Sequence, residues 1–195
     1  VALDLQGRVL ALRVTTIANL GAYVSTHGAF IPVSSPALLA GTYRTASISV
    51  RVRGVFTNTV PTDAYRGAGR PEAIYIVERL MDAAAFELGL DPVEMRRRNC
   101  ITAGDLPYKT PLGWTYDSGL FEKNLEEAVK LAGWSDFEDR RAEARRRSWL
   151  RGIGLANHVD RSAGGALEEY ALVRFDPTGS VTVQSGTMTS GQGHE

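Results

Sequence analysis

The sequence is short of the residues that most protein-bound metals need. One cysteine, Cys100, and three histidines, His27, His158 and His194, are spread over 195 residues. A single thiol excludes an internal disulfide and a cysteine-rich metal site, and the scattered imidazoles show no paired ligand spacing. Neither sign of charge is in excess: 22 Lys and Arg balance 22 Asp and Glu, so no bulk field draws nucleic acid or an anionic membrane. No apolar run approaches the roughly 20 residues of a membrane span, and no signal peptide opens the sequence, so a cytoplasmic protein is expected. Gly-x-Ser-x-Gly elbows, Walker loops and Cys-x-x-Cys pairs are missing, as is any local pairing of nucleophile and base. The sequence begins without methionine and stops inside a glycine-rich stretch, which is expected of a piece of something longer.

Glycine is what the sequence has in quantity, and two glycine-rich loops stand out. The first reads Ala64, Tyr65, Arg66, Gly67, Ala68, Gly69, Arg70, Pro71, Glu72, Ala73. Gly67 and Gly69 carry no Cβ, so a ligand can come close to main-chain N–H groups. Pro71 suits the first helical position, where its missing N–H costs nothing. A helix N-terminus flanked by Arg66 and Arg70 suits a phosphate-bearing anion; an ordinary turn with solvated arginines is the plainer alternative. The second loop runs from Ser185 through Gly191, Gln192 and Gly193 to Glu195. Its Gln192 offers an amide that both donates and accepts.

Between the loops the pattern predicts an α+β chain. A hairpin is expected over 1–5 and 8–16, a short helix at 35–39 led by Pro36, and a strand through Ile48, Val50, Val52 and Val55, with Arg51 and Arg53 on its other face. From Pro71 to Leu88, Ile74, Val77, Met81, Ala84 and Leu88 recur at helical spacing, Glu78 and Asp82 are read as outward, and Gly89 supplies the stop. Asp91, Pro92 and Glu94 start another helix, with Arg96, Arg97 and Arg98 offsetting its carbonyl end. Ser118 is expected to cap a helix striped by Phe121, Leu125, Ala128 and Ala132. Ser135 and Glu138 open a charged helix whose mixed signs mark a solvated connector. Residues 153–159 read as a strand, and 170–175 with 181–184 as a hairpin closed by Asp176, Pro177, Thr178 and Gly179. The expected divisions are residues 1–133, a helical connector at 134–149, and 150–195.

Four segments in order, AYRGAGRPEA at 64–73, ERLMDAAAFELGLDPVEMRRRNCI at 78–101, LPYKTPLGWTYDSG at 106–119 and GQGHE at 191–195, carry a family likeness. Together the set resembles the molybdenum-binding large subunit of the xanthine dehydrogenase, aldehyde oxidase and aerobic carbon monoxide dehydrogenase family. The resemblance implies a molybdenum hydroxylase that oxidises an aldehyde or N-heterocycle with water as oxygen donor. Its molybdenum would be held by the dithiolene of molybdopterin, expected as the cytosine dinucleotide, and not by side chains. Iron–sulfur clusters and FAD would sit on partner subunits or domains.

Residue by residue, Arg66 matches the arginine that contacts the pterin, and Gly67, Ala68 and Gly69 match the floor near the metal. Gln192 matches the glutamine of the second cofactor loop, with Gly191 and Gly193 letting that loop close; Tyr65, Arg70 and His194 are expected to position the loops. The divisions then become most of a first molybdopterin-binding domain, a connector, and the start of a second. Two departures matter: Ala68 stands where xanthine-oxidising members carry an aromatic, and Gly67 where carbon monoxide dehydrogenases carry cysteine. The family's catalytic glutamate and its upstream glycine loop match no residue here, so no catalytic residue is assigned and the 195-residue chain alone is expected to be inactive. The rival reading is a non-catalytic anion-binding or assembly module on the same fold. A third reading, nucleic-acid binding through the arginine-rich helix, is opposed by the neutral net charge.

Overall fold

Asp4 turns the chain back on itself, its carboxylate accepting from the Gln6 and Arg8 N–H groups while Gly7 takes φ +79°. In the computed structural model this joins β1 (Ala2–Leu3) to β2 (Val9–Asn19) as the expected antiparallel hairpin. The structure describes residues 1–160, 168, 170–187, 189, 191 and 193. β3 (Ser47–Val55) lies parallel to β2, in register from Ala11 opposite Ser47 to Asn19 opposite Val55. Parallel strands need a crossover, and the chain supplies it with α1 (Phe30–Ser34) and a 3-10 turn (Ser35–Ala40). The helix expected at 35–39 is that 3-10 turn; α1, with no buried residue to give it a stripe, had no periodic signal. Arg51 and Arg53 are exposed on the sheet's outer side, as the alternation requires.

α2 (Arg70–Leu88) packs across the 3-10 turn and against α3 (Pro92–Asn99). Its buried apolar stripe is Ala73, Val77, Met81, Ala84 and Ala85: Val77, Met81 and Ala84 are as expected, while Ile74 and Leu88 are only half-buried. Gly89 at φ +63° ends it. Asp91 caps α3 through the N–H groups of Val93 and Glu94, as its sequence demands. A small hairpin of β4 (Tyr108–Lys109) and β5 (Thr115–Tyr116) leads to α4 (Phe121–Leu131) and α5 (Phe137–Arg146). Neither serine cap formed there: Ser118 bonds to Asp117 and Ser135 to Asp136. Only Phe121 and Leu125 of the α4 stripe are buried; in its second half Val129 is the residue that packs on the core, and Ala128 and Ala132 are exposed.

The chain divides into two compact units, Val1–Asp160 and residues 161–195. The first carries the main core, in which Met95, Cys100, Ile101 and Leu125 are almost wholly buried. It runs past the 134–149 connector because residues 155–157 are bonded into that core. The expected strand at 153–159 is extended but unpaired: its backbone partners are side chains and not a neighbouring strand. In the second unit β6 (Ala171–Phe175) and β7 (Val181–Ser185) form the expected antiparallel hairpin. Gly179 takes φ +91° in its turn, and the Asp176 carboxylate accepts from the Thr178 N–H and hydroxyl.

Candidate functional site

The first glycine loop is built on a braced lead-in. Ser25 Oγ donates to the Thr62 carbonyl at 2.7 Å, and Thr62 Oγ1 to the Asn19 carbonyl at 3.1 Å. Asp63 then accepts from the His27 N–H at 3.0 Å and the Ala64 N–H at 2.7 Å. The Ala64 bond, followed by that of His27, holds the Asp63 carboxyl below its ordinary range. This seats residues 62–64 beside the end of β2 before the loop begins.

Two successive turns follow. Ala68 N–H donates to the Tyr65 carbonyl at 2.7 Å, and Arg70 N–H to the Gly67 carbonyl at 2.9 Å. Gly67 and Gly69 meet the positive φ these turns require, +83° and +86°. Their surroundings differ. A Cβ on Gly69 would lie 1.6 Å from Ser35 Oγ, whereas one on Gly67 would meet nothing closer than Pro71 at 3.9 Å. Gly69 is therefore a packing glycine, and Gly67 leaves its backbone open to an approaching group. Arg66 and Tyr65 are exposed beside it.

Arg70 turns away from the role of second anion ligand. Its Nε lies 3.3 Å from Asp160 Oδ1, so its charge is already matched. With the Arg70 N–H used within the loop and Pro71 lacking one, two of the first positions of α2 offer no donor, and Glu72 adds an acid to the first turn. Beneath the loop a cavity of about 360 Å³ is bounded by β2, the crossover and the N-terminus of α2. Val14, Ala18, Ile31, Leu39 and Ile76 give it an apolar wall, Ala68 and Gly69 form part of its rim, and Asp63 and Glu72 are its ionisable groups.

Of the residues assigned from the sequence, Arg66, Gly67, Ala68 and Gly69 thus share one loop. Gly191 and Gly193 take φ of +94° and +76°, a backbone suited to a tight turn. Gln192 and His194 lie outside the described residues. Among the described residues no group of three or more His, Cys, Asp or Glu side chains gathers to hold a metal ion directly.

The sequence reading missed a buried polar network behind the loop helix. Arg96 has no exposed surface; its Nε donates to Glu78 Oε2 at 2.9 Å and its Nη2 to Asp82 Oδ1 at 2.8 Å. Tyr43 donates to the other Glu78 oxygen at 2.7 Å. Burial, and then the neighbouring Glu78 charge, push the Tyr43 hydroxyl far above its ordinary range. Burial alone would lower the Arg96 guanidinium, but the charges and hydrogen bonds of Glu78, Tyr43 and Asp82 leave it raised. Arg96 is therefore a core cation, not an offset to the dipole of α3. A signal existed: Glu78 is three residues before Met81 and seven before Ala85, which puts it on the buried face of α2.

Cys100 sits in the same region, wholly buried, with Asn157 Nδ2 3.2 Å from its sulfur. Burial pushes the thiol up to about 11. Only the thiolate reacts readily, so Cys100 is expected to resist a disulfide reagent at pH 8 in the native protein. One equivalent should react once denaturant is added; rapid native labelling would contradict this burial.

Comparison with known proteins decides the family. The molybdopterin cofactor-binding domain family matches twice, by one model over residues 1–100 and by another over residues 127–195. The chain belongs to the molybdopterin-binding large subunits of the molybdenum hydroxylases. It is 35% identical to the 6-hydroxypseudooxynicotine dehydrogenase complex subunit gamma of Paenarthrobacter nicotinovorans, over all of this chain and 25% of that one. It is 32% identical to the carbon monoxide dehydrogenase large chain of Hydrogenophaga pseudoflava, over 97% of this chain and 26% of that one. Among solved structures, quinoline 2-oxidoreductase from Pseudomonas putida 86 superposes with a TM-score of 0.78 at 32% identity, over 98% of this chain and 26% of that chain. The chain spans about a quarter of the length of these relatives. Their shared α+β cofactor-binding fold is the one observed.

Proposed function

We propose that the chain supplies part of the molybdopterin site of a parent enzyme that oxidises an aldehyde or N-heterocycle with water as oxygen donor. The loop at 64–70 carries this reading. It is braced from behind, left-handed at two glycines, open at Gly67 and flanked by the exposed Arg66. Such a loop fits a planar, phosphate-bearing group: bare backbone admits close approach, and a guanidinium matches an anion with two parallel N–H donors. Gly67, Ala68 and Gly69 would form the floor, and Gly191, Gln192 and Gly193 the second set of contacts. When bound, the cofactor supplies the redox chemistry; the residues of this chain orient it and match its charge.

The finer points of the proposal rest on family likeness. They are the cytosine dinucleotide form, iron–sulfur and FAD groups on partner subunits or domains, and inactivity of the 195-residue chain alone; the cytoplasmic location is proposed from the sequence pattern instead. The division into a first domain at 1–133, a connector at 134–149 and a second domain from 150 is proposed from the mixed-charge helix in the sequence. A non-catalytic anion-binding or assembly module is not favoured, because the relatives are oxidoreductases by name. No helix among the described residues is long and apolar enough to cross a membrane.

The test is Arg66→Ala in the intact parent. A charge-assisted hydrogen bond contributes about 1.5–3 kcal/mol, so the variant should lose most of its pterin and molybdenum at limiting cofactor supply. Its unfolding temperature should barely move, since Arg66 lies off the apolar face of α2. Normal cofactor content in the purified variant would refute the assignment.

A further inference from the structure

The last ten residues of the first unit are held against α2 by bonds from four separate parts of the fold. Arg96 Nη2 donates to the Leu155 carbonyl at 2.9 Å. The Asn157 N–H donates to Glu78 Oε2 at 3.0 Å, and Thr42 Oγ1 donates to the Asn157 carbonyl at 2.9 Å. Asn157 Nδ2 reaches the Phe121 carbonyl at 3.3 Å. Three residues further on, Asp160 pairs with Arg70 at 3.3 Å.

These contacts give the segment a direction. Glu78 and Arg70 are eight residues apart on one helix, or about 12 Å along its axis. Asn157 and Asp160, three residues apart in extended chain, span about 10 Å. The segment therefore runs back along α2 toward its N-terminus. It leaves the first unit at the glycine loop, although Asp160 comes 90 positions after Arg70 in the sequence.

We propose that Arg70 and Asp160 are a positioning pair for cofactor retention: the ion pair ties the exit of the first unit to the loop that carries Arg66, Gly67 and Ala68. This rests on the molybdopterin reading above. Arg70 acts through the loop, not on the cofactor, because its guanidinium is engaged by Asp160. The buried clamp at Leu155 and Asn157 sets where Asp160 arrives, and the pair fixes the loop against that point. Both side chains are part-exposed, 31% and 49%, so the tie is modest in strength and is matched to loop order more than to global stability.

The experiment uses the intact parent with Asp160→Asn, Arg70→Gln, the double variant, and the exchange Arg70→Asp with Asp160→Arg. Pterin retained during long dialysis is followed by the fluorescence of its oxidised form. Amide hydrogen exchange of residues 64–70 is measured alongside. Each single variant should lose pterin about two- to fivefold faster, the range for a part-exposed ion pair. The double variant should be no worse than either single one, and the exchange should restore retention, while the unfolding temperature stays within about 3 °C. A merely stabilising pair would lower that temperature without this pattern. Wild-type retention in both single variants, or additive losses in the double, would overturn the proposal. If the wild-type parent carries no pterin, the function proposed above fails instead. The pair is then judged by hydrogen exchange alone, and unchanged exchange at 64–70 in Asp160→Asn would refute it.

Discussion

Arg96→Met is expected to destabilise the protein by about 3–5 kcal/mol, because it leaves Glu78 buried without its cation. The cost falls on more than one bond. Arg96 also satisfies the carbonyls of Pro92, Glu78 and Leu155, and the last of these belongs to the extended segment that carries Asn157. At roughly 2–4 °C per kcal/mol for a chain of this size, the unfolding midpoint should fall by about 6–20 °C. Hydrogen exchange at residues 155–158 should rise in step. Removing both charges with Glu78→Gln and Arg96→Met together should cost less than the sum of the two single changes, since neither leaves the other's charge stranded. A midpoint within about 2 °C of wild type in Arg96→Met would show that the network does not hold the core as its geometry indicates.

Gly69→Ala should be the most damaging small change in the glycine loop. The new Cβ would sit 1.6 Å from Ser35 Oγ and 2.7 Å from Ser35 Cβ, so the 3-10 turn or the loop has to move. The left-handed backbone adds about 1–2 kcal/mol for an L side chain, and overpacking about 1–3 kcal/mol. The expected total is roughly 2–5 kcal/mol, or a fall of about 4–20 °C. Gly67→Ala is the control, since it has the same backbone strain at φ +83° but no neighbour closer than 3.9 Å. It should cost only the first of the two terms. Equal effects at the two glycines would mean that the loop packs against Ser35 less closely than the structure shows.

These two changes also mark where the sequence was legible. α3 could be read outright: Asp91 caps it and Pro92 occupies its first turn, both local signals with local causes. Gly67 and Gly69 were legible as Cβ-free loop positions, and both prove left-handed, a conformation only glycine takes cheaply. The difference between them was not, since it depends on Ser35, 34 residues away in sequence. The charged residues were harder still. Placing Glu78 outside assumed that a carboxylate seeks water, yet its spacing to Met81 and Ala85 put it on the inner face, where Arg96 and Tyr43 answer it. At 153–159 the alternation was real, with Ile153, Leu155, Asn157 and Val159 more buried than their neighbours. Period two establishes an extended chain with one face inward; it does not name the partner, and here the partners are side chains of α2, α3 and Thr42.

The site was read in the same two tiers. The loop and its helix follow from ten consecutive residues, so their placement could be anticipated. The pairing of Arg70 with Asp160 could not, and it changes the chemistry by removing one of the two arginines expected to face an anion. Arg66 then carries the cofactor assignment on the first loop, with Gly67 as the open backbone beside it.

The central claim is that this chain is part of a molybdopterin site, and elemental and pterin analysis of the purified full-length parent tests it most directly. Molybdenum measured by plasma mass spectrometry and pterin measured as its fluorescent oxidation product should both approach one per large subunit. The two should leave together when the protein is denatured. A correctly folded parent, produced in cells that supply the cofactor, with neither molybdenum nor pterin would contradict the account.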